Sequence, residues 1–486
     1  MATIVERALR CGGYVLVGLG AVLLLAGGSW NNPRLPSGTV AFVRQGDVWI
    51  ENLPGGDARR ITEDGRNFAP SLSPSAQWVA FRKNEGEAWV ARVDGSSVHA
   101  LREKRPVRHL LWSPVSDRLA CVAEGSLRVE DADGGRAAAL VANDPLEPGT
   151  GVYEIAWSPD GAWIACLREV RRVVPEGEWP LETSIEKVPA GGGKPVDVLR
   201  FPVPVEDEDG DRVPGNAVLA GWFFSHIFYW QCPIASASLM ADGCPLYSLG
   251  PEGNGFELPV SLLYPDSLSI SPGGKRLAVA EGGDRRTWTE KRITVADLQN
   301  GRRRALTAPD TAALSPRWSP DGRRLAFVSG PNVEGDGSGE DASQGLARRR
   351  IAVMDADGSN LLALTADERY RDECPRWSAD GGYILFARVD GVRPTSLPAS
   401  LWAVPSTGGS PVEVVEEMSP FLSESDPLGL ELEYYGHREW DRYFDWAPSE
   451  DRSGFPLAWA GAAMCVLGMA LMGAAGRTGR RSPAAG

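Results

Sequence analysis

Histidine is scarce in this sequence, and so are the motifs that mark many catalytic and nucleotide-binding sites. The 486 residues include four histidines, and no two of them stand at the spacing of metal ligands: His99, His109, His226 and His437. No Gly-x-Ser-x-Gly elbow, the motif of an α/β-hydrolase nucleophile, occurs in the chain. Residues 335–339 are rich in glycine but lack the lysine of a phosphate loop. No motif in the sequence therefore identifies a set of catalytic residues, and this argues against an enzyme.

An excess of positive charge and a dense cysteine framework are also missing. The net charge is -14 and no basic stripe is visible, which argues against nucleic acid as the main partner. Cys121 and Cys166 occupy strand positions at which other repeats have phenylalanine, so we expect them in the core. Cys232 and Cys244 can form a disulfide if the domain lies outside the cytoplasm, and the sequence leaves this question open.

Helical periodicity is nearly absent between residues 31 and 454, where one turn-and-strand pattern repeats instead. Its clearest copy is Trp318-Ser-Pro-Asp-Gly322, followed by the apolar run Leu325-Ala-Phe327. Five further copies begin at Ser71, Trp112, Trp157, Ile270 and Trp377. Each copy precedes short strand-like runs joined by Asp-Gly or Gly-Gly turns, and most copies are roughly 40–50 residues apart, as in propeller blades. The pattern predicts four-stranded β-propeller blades.

These repeats resemble the blades of TolB-type β-propellers, which repeat a Trp-Ser-Pro-Asp-Gly turn followed by a Leu/Ile-Ala-Phe strand. The resemblance covers residues 38–450 and implies an all-β fold. Residues 217–260 lack the turn but keep strand-like runs, so they are either one more blade or an insertion, and the propeller has seven or eight blades. Residues 38–66 lack a first strand and residues 443–448 supply one, so the two ends are predicted to close the ring.

The predicted propeller is flanked by two uncharged segments, residues 11–30 and 455–476, each long enough to cross a bilayer as a helix. Arginines precede the first segment and follow the second, so we expect residues 1–10 and 477–486 to be cytoplasmic tails. Residues 11–30 are either an uncleaved signal anchor or a cleaved signal peptide. The expected location is the cell membrane, with the propeller outside the cytoplasm.

The predicted blade order distinguishes two faces of the propeller. The turn face carries the Ser-Pro-Asp-Gly turns, and the chain enters and leaves there. The opposite insertion face carries the long connections, residues 171–183, 203–215, 281–291, 330–349, 390–398 and 418–442. Because function commonly lies on loops held by a rigid scaffold, we expect a binding surface on the insertion face.

Tryptophan and arginine in these insertions are the candidate binding residues, because both types are frequent in binding hot spots. The candidates are Arg171, Arg172, Trp179, Arg285, Arg286 and Trp288. The alternative is that these loops fold back on the propeller. Asp207, Asp209 and Asp211 form the densest acidic cluster, which is either a calcium site or a solvated acidic loop. No other cofactor is expected.

Two functions fit these features. The preferred one is a membrane-anchored binding, scaffold or sensor module for a protein, a peptide or a glycan. The alternative is a cell-envelope lyase or hydrolase whose site lies at the propeller axis, where carboxylates from several blades could meet.

Overall fold

The computed structural model describes residues 35–142, 150–171, 181–201, 204–206, 212–233, 243–250, 255–333, 339–390, 398–421 and 433–449. Within these ranges the fold is all-β, as predicted. The described helical elements are one α-helix, α1 (Gly339–Ala347), and two 3-10 segments, Pro265–Ser267 and Trp440–Arg442. All other regular structure is antiparallel sheet, consistent with a β-propeller.

The described strands form six four-stranded sheets, one nine-stranded sheet and one small hairpin. We number the sheets I to VIII, where V and VI are the two halves of the nine-stranded sheet. Sheet I contains Gly38–Arg44, Asp47–Leu53, Arg59–Arg60 and Phe444–Pro448; sheet II contains Asn67–Leu72, Trp78–Lys83, Glu87–Arg92 and Val98–Ala100; sheet III contains His109–Trp112, Arg118–Ala123, Ser126–Asp131 and Ala137–Val141. Sheet IV contains Gly151–Trp157, Trp163–Arg171, Leu181–Pro189 and Val196–Arg200; sheet V contains Pro204–Glu206, Arg212–Phe223, His226–Pro233, Cys244–Leu249 and Gly255–Ser261. Sheet VI contains Leu268–Ile270, Arg276–Glu281, Arg292–Asp297 and Arg303–Ala305; sheet VII contains Thr311–Trp318, Arg324–Pro331, Arg350–Asp355 and Leu362–Ala363; sheet VIII contains Tyr370–Trp377, Tyr383–Asp390, Ala399–Pro405 and Val412–Met418.

Sheet I joins the two ends of the described chain and confirms the predicted closure. Its strand Phe444–Pro448 pairs with Gly38–Arg44 in a register that sets Gly38 opposite Pro448. Just beyond this pair, the Ser449 amide donates to the Ser37 carbonyl at 3.0 Å. The two chain ends therefore leave sheet I side by side, at the end of the sheet that corresponds to the turn face.

The repeated turn motif is held together by its own serine and aspartate. In sheet VII the Ser319 hydroxyl donates to Asp321 at 2.6 Å and accepts from the Arg324 amide at 2.9 Å. The Asp321 carboxylate also accepts from the Arg323 amide at 3.0 Å. Gly322 follows with φ of 69°, a left-handed conformation that glycine adopts without steric cost. The serine, aspartate and glycine thus each have a separate role in one tight turn.

The motif's tryptophan joins neighbouring sheets. The indole Nε1 of Trp318 donates at 3.0 Å to the carbonyl of Ser269, which lies in the first strand of the preceding sheet. The same bond recurs from Trp112 to Ser71, from Trp157 to Leu111 and from Trp377 to Arg317. The rings lie in apolar clusters between sheets, and the largest of these clusters spans sheets VI to VIII. The motif therefore sets both a turn and the contact between sheets.

Residues 217–260 form four strands of sheet V although they lack the turn motif. Alternating apolar residues, including the fully buried Phe228 and Trp230, supply the core of this sheet instead. A disulfide joins Cys232 to Cys244, with a Cα–Cα distance of 5.6 Å, which resolves the open question of their pairing. Cys121 and Cys166 are buried, as expected for core residues.

The predicted membrane segments, residues 11–30 and 455–476, lie outside the described residues, as do both predicted tails. Among the residues that the structure does describe, no helix has the length and apolar character needed to cross a bilayer. Membrane anchoring therefore stays a prediction from the sequence.

Candidate functional site

Three insertions meet on the insertion face, near the starts of the first strands of sheets VI to VIII, which are Leu268–Ile270, Thr311–Trp318 and Tyr370–Trp377. The described parts of residues 281–291, 330–349 and 418–442 pack against one another. A Cβ on Gly436 would lie 2.6 Å from Leu346 Cδ2 and 2.6 Å from Thr287 Oγ1, and a Cβ on Gly345 would lie 2.8 Å from Trp288 Cβ. These close approaches bring the three insertions into one continuous surface.

The last insertion contributes a short hairpin, which we call the strap hairpin: strands Glu433–Tyr434 and His437–Arg438 with the turn between them. Its turn carbonyls accept hydrogen bonds from the neighbouring elements. Tyr435 O accepts from the Thr287 amide at 3.1 Å and from the Thr287 hydroxyl at 2.8 Å. Gly436 O accepts from Arg349 at 2.7 Å and from Arg371 at 2.9 Å.

The two arginines that hold this turn share one buried carboxylate. Arg371 Nε donates to Glu373 Oε1 at 2.8 Å, and Arg349 forms an ion pair with the same oxygen. The Trp440 indole donates to the other carboxylate oxygen at 3.0 Å. Burial would raise the pKa of Glu373, but the Arg371 and Arg349 charges outweigh it and lower the pKa to about 2. Glu373 is therefore charged at every physiological pH and neutralises part of the arginine charge.

A second carboxylate, Asp266, lies on the other side of the strap hairpin. Its Oδ1 lies 3.0 Å from His437 Nε2, and its Oδ2 accepts from the Ser315 hydroxyl at 2.7 Å. The imidazole also stacks on the Tyr264 ring, with centroids 3.6 Å apart and planes inclined by 2°. Burial would raise the Asp266 pKa, but the His437 charge lowers it well below the usual range. Burial alone would lower the His437 pKa, but Asp266 raises it above its usual value.

The order of these side chains argues against an activated nucleophile. In a serine hydrolase triad the histidine lies between the serine and the carboxylate and takes the serine proton. Here Asp266 lies between Ser315 and His437, so the serine contacts a carboxylate of lowered pKa, a weak base, and not the histidine. The space enclosed by the cluster is about 20 Å³, enough for about one water molecule. Among the residues that the structure describes, this cluster therefore leaves no room for a substrate.

Two other serine–histidine contacts occur, Ser97 with His99 and Ser225 with His226. In the described part of the chain neither histidine has a carboxylate hydrogen-bonded to its other ring nitrogen, so neither contact forms a triad. The described residues also contain no group of three or more His, Cys, Asp or Glu side chains that could hold a metal ion.

The sequence-predicted binding residues fall into two groups. Arg172, Trp179, Asp207, Asp209 and Asp211 lie outside the described residues, and Arg171 ends a strand of sheet IV. The remaining candidates, Arg285, Arg286 and Trp288, are brought together in the 281–291 insertion.

These three residues have different environments. The Arg285 guanidinium lies 5.4 Å from the centroid of the Tyr435 ring, and Arg286 pairs with Asp284 at 2.9 Å. Trp288 is 6% exposed, so it packs between insertions, which is the fold-back alternative for this side chain. Of the three, Arg285 is the candidate positioned beside an exposed aromatic ring, because Tyr435 is 38% exposed.

Sequence reasoning missed Asp266, Ser315, Arg349, Glu373 and His437, which form the centre of the cluster. One signal was present. Tyr370-Arg-Asp-Glu373 places three charged residues at the start of a strand whose later residues are mostly buried. Consecutive charged residues in a buried strand require partners, which predicts an ionic network but does not name the partners.

The comparisons with known proteins support the fold and leave the activity open. No protein-family model matches the sequence. The uncharacterized protein Atu1656 of Agrobacterium fabrum is 30% identical over 143 residues, which are 25% of this chain and 47% of that protein. The chain thus spans about half the length of this curated relative.

Two solved structures are similar to the chain over most of its length. Dipeptidyl peptidase 4 of Porphyromonas gingivalis has a TM-score of 0.53 at 12% identity, covering 79% of this chain and 60% of that one. A putative TolB from Agrobacterium tumefaciens has a TM-score of 0.33 at 15% identity, covering 78% of this chain and 88% of that one. The first similarity supports a propeller fold and shows nothing about activity.

Proposed function

We propose that this chain is an eight-bladed, membrane-anchored propeller outside the cytoplasm, and that its insertion face binds a protein, peptide or glycan. The observation that carries the proposal is the position of the three packed insertions relative to the chain ends. Ser37 and Ser449 leave sheet I together at the turn face. Anchoring through both ends would leave the opposite, insertion-bearing face free for a partner.

The proposed number of eight blades depends on whether sheet V is a blade of its own. Sheets V and VI are joined through one residue pair, Ser261 with Glu281, whereas their internal strand pairs extend over several residues each. Treating the two halves as separate blades gives eight with the closing sheet.

The disulfide supports an extracytoplasmic location. Cys232 and Cys244 are both buried in sheet V, and such bonds persist in oxidising compartments. This agrees with the orientation expected from the arginines beside the two predicted spans.

An introduced cysteine tests the location. Gln344 is exposed on α1 of the insertion face. In intact cells, Gln344→Cys should react with a membrane-impermeant maleimide, whereas Ser482→Cys in the C-terminal tail should react only after permeabilisation. The described native thiols give little background, because Cys121, Cys166 and Cys374 are buried. Labelling of Gln344→Cys only after permeabilisation would overturn the proposed location.

Binding is tested by a matched pair of charge reversals. Arg285 lies beside the exposed Tyr435 ring on the insertion face, and Arg323 is exposed on the turn face. We expect Arg285→Glu to lose proteins or glycans that are crosslinked to the wild-type chain in intact cells, and Arg323→Glu to retain them. Equal capture by the wild type and both variants would contradict binding at the insertion face.

The second candidate is an envelope hydrolase or lyase, and one group favours it. Asp441 lies in the 3-10 segment Trp440–Arg442, and desolvation together with the charge of Glu439 raises its pKa to about 7, a range suited to a general acid or base. The similarity to a dipeptidyl peptidase adds nothing specific, because the chain covers 60% of that protein. Turnover of an envelope peptide or saccharide by the wild type, lost in Asp441→Asn while the fold is retained, would favour this candidate.

A further inference from the structure

The strap hairpin is attached to the propeller differently from the blades. Its strands pair with each other as a separate two-stranded sheet and join none of sheets I to VIII. Hydrogen bonds from Thr287, Arg349 and Arg371, and the His437 side chain, hold it to the insertion face. The hairpin can therefore leave without breaking a hydrogen-bond ladder within any blade.

Among the contacts that hold the hairpin, the His437–Asp266 pair includes a histidine, the side chain whose ordinary pKa lies in the physiological range. The arginines keep their charge throughout the physiological range. The imidazole both pairs with Asp266 and stacks on Tyr264, and its side chain is 17% exposed, so it can exchange protons with solvent. Loss of the imidazole proton would remove the ion pair and leave the stacked ring in place.

We propose that the strap hairpin is a pH-sensitive closure of the insertion face, held shut by the charged His437–Asp266 pair and released more readily as the pH rises above neutral. This proposal does not depend on the proposed binding function, because it concerns an opening equilibrium of the isolated chain.

The charged groups around the His437–Asp266 pair come from five elements. They are Asp266 from the 3-10 segment before sheet VI, Arg317 from the first strand of sheet VII, Arg371 and Glu373 from the first strand of sheet VIII, Arg349 from the 330–349 insertion, and Arg438 and Glu439 from the segment of His437 itself. The three carboxylates all favour the protonated imidazole, with Asp266 contributing most. The pKa values of Asp266 and Glu373 are far below neutral, so these two carboxylates remain charged while His437 titrates.

The sign of the effect follows from the raised His437 pKa. Because the closed state binds this proton more tightly than the open state, its contribution is fully present below the usual pKa of 6.5. The contribution is lost as the pH rises from 6.5 through the raised value. One proton linked to opening changes the opening constant by at most about tenfold per pH unit.

Two nearby groups titrate in other ways and must be separated from His437. The Asp441 pKa is raised from 3.8 to about 7, so its stabilising contribution is fully present below pH 3.8 and is lost as the pH rises from 3.8 through about 7. Burial lowers the Lys291 pKa from 10.5 to about 8, and this favours the folded state increasingly as the pH rises above 8. Asp441 thus acts in a lower pH range, and Lys291 acts with the opposite sign.

Hydrogen exchange of the full chain in detergent measures the opening directly. The Thr287 amide donates to Tyr435 O, so it loses its acceptor when the strap hairpin leaves. After correction for the intrinsic exchange rate, we expect protection of peptides covering Thr287 and the strap hairpin to fall severalfold between pH 6.5 and 9. Protection of strand Arg324–Pro331 in sheet VII serves as the internal reference.

Three variants test whether the His437 charge causes the expected fall in protection. His437→Gln should have low, pH-independent protection in this range, because glutamine cannot carry the charge. Asp441→Asn should keep the fall above pH 7, and so should His226→Gln, the matched control on a half-buried histidine of sheet V. If His437→Gln does not fold, Asp266→Asn replaces it, with the same expected loss of the pH dependence. Flat wild-type protection, or an unchanged fall in the His437 or Asp266 variant, would overturn the proposal.

Discussion

The turn face and the insertion face are built on the same sheets but are stabilised in different ways. The turn face repeats one local solution, in which a serine and an aspartate two residues apart hold a glycine turn, as at Ser319 and Ser378. The insertion face uses contacts between residues far apart in sequence, such as Arg349 with Gly436, which are 87 residues apart. Repeated local contacts define the scaffold, and unique long-range contacts define the candidate site.

The largest expected effect is at the buried network of the insertion face. Glu373→Ala leaves Arg349 and Arg371 without their shared carboxylate, and both arginines are nearly fully buried. Removing one partner of a buried ionic network costs about 3–5 kcal/mol, so we expect a comparable fall in the free energy of unfolding in denaturant titrations.

The control for this variant is an exposed pair. Asp197→Ala removes one of the carboxylates that pair with Arg200, and the Asp197 and Arg200 side chains are 48% and 58% exposed. We expect little change in the free energy of unfolding, because water and salt screen exposed ion pairs. Similar losses of unfolding free energy in the two variants would show that the buried network stabilises the chain no more than a surface ion pair does.

The next effect concerns the tryptophan between sheets. Trp318→Phe removes the indole donor from the Ser269 carbonyl and reduces the buried ring, which should cost about 1–3 kcal/mol. Trp446 is a matched control, because its indole nitrogen is buried and has no acceptor among the described residues. Trp446→Phe should therefore destabilise the chain less in the same titration, and the opposite ranking would refute the proposed role of the bond.

The strap hairpin supplies an intermediate test. Gly436 has φ of 78°, and a Cβ there would lie 2.6 Å from two neighbouring side-chain atoms. Gly436→Ala should cost about 1–3 kcal/mol and reduce hydrogen-exchange protection of the hairpin before that of the blades. Gly191→Ala, at a turn glycine with open space around its Cβ position, should leave both measurements near the wild-type values.

The smallest expected effect is on the turn face. Ser319→Ala and Ser378→Ala each remove the hydroxyl that bonds a turn aspartate and should cost about 1 kcal/mol each. Arg324 contacts both turns, through its amide to Ser319 Oγ and its guanidinium to the Gly381 carbonyl. Each removed hydroxyl bonds its own aspartate, so the double variant should still lose the sum of the two within about 0.5 kcal/mol. A loss in the double variant that differs clearly from the sum would show that the two turns do not act as independent local structures.

Most of the scaffold was predictable because its signals are local. Trp318-Ser-Pro-Asp-Gly322 predicts a turn from residues that contact each other within a few positions, and the missing first strand near residue 38 predicts the pairing with residues 443–448. Sheet V was harder to predict, because its turns lack the motif and its strands were visible only as apolar alternation.

The candidate site was less predictable, and Arg285 and Trp288 illustrate why. The sequence places both in one insertion and predicts the same role for both. The structure buries Trp288 between Gly345 and Gly436 and leaves Arg285 beside an exposed ring. Burial depends on which distant segment packs on the loop, and the loop's own sequence does not encode that information.

The sequence by itself determined the all-β class, the repeated turns, the closing strand and the absence of the sought catalytic motifs, because each depends on residues close in the chain or on simple counting. Tertiary structure alone decided that Asp266 meets His437 across 171 residues, that Arg349 and Arg371 share Glu373, and that Cys232 pairs with Cys244. Such contacts depend on how neighbouring sheets are oriented relative to one another. That orientation results from packing between all the sheets, so no single segment of the sequence determines it.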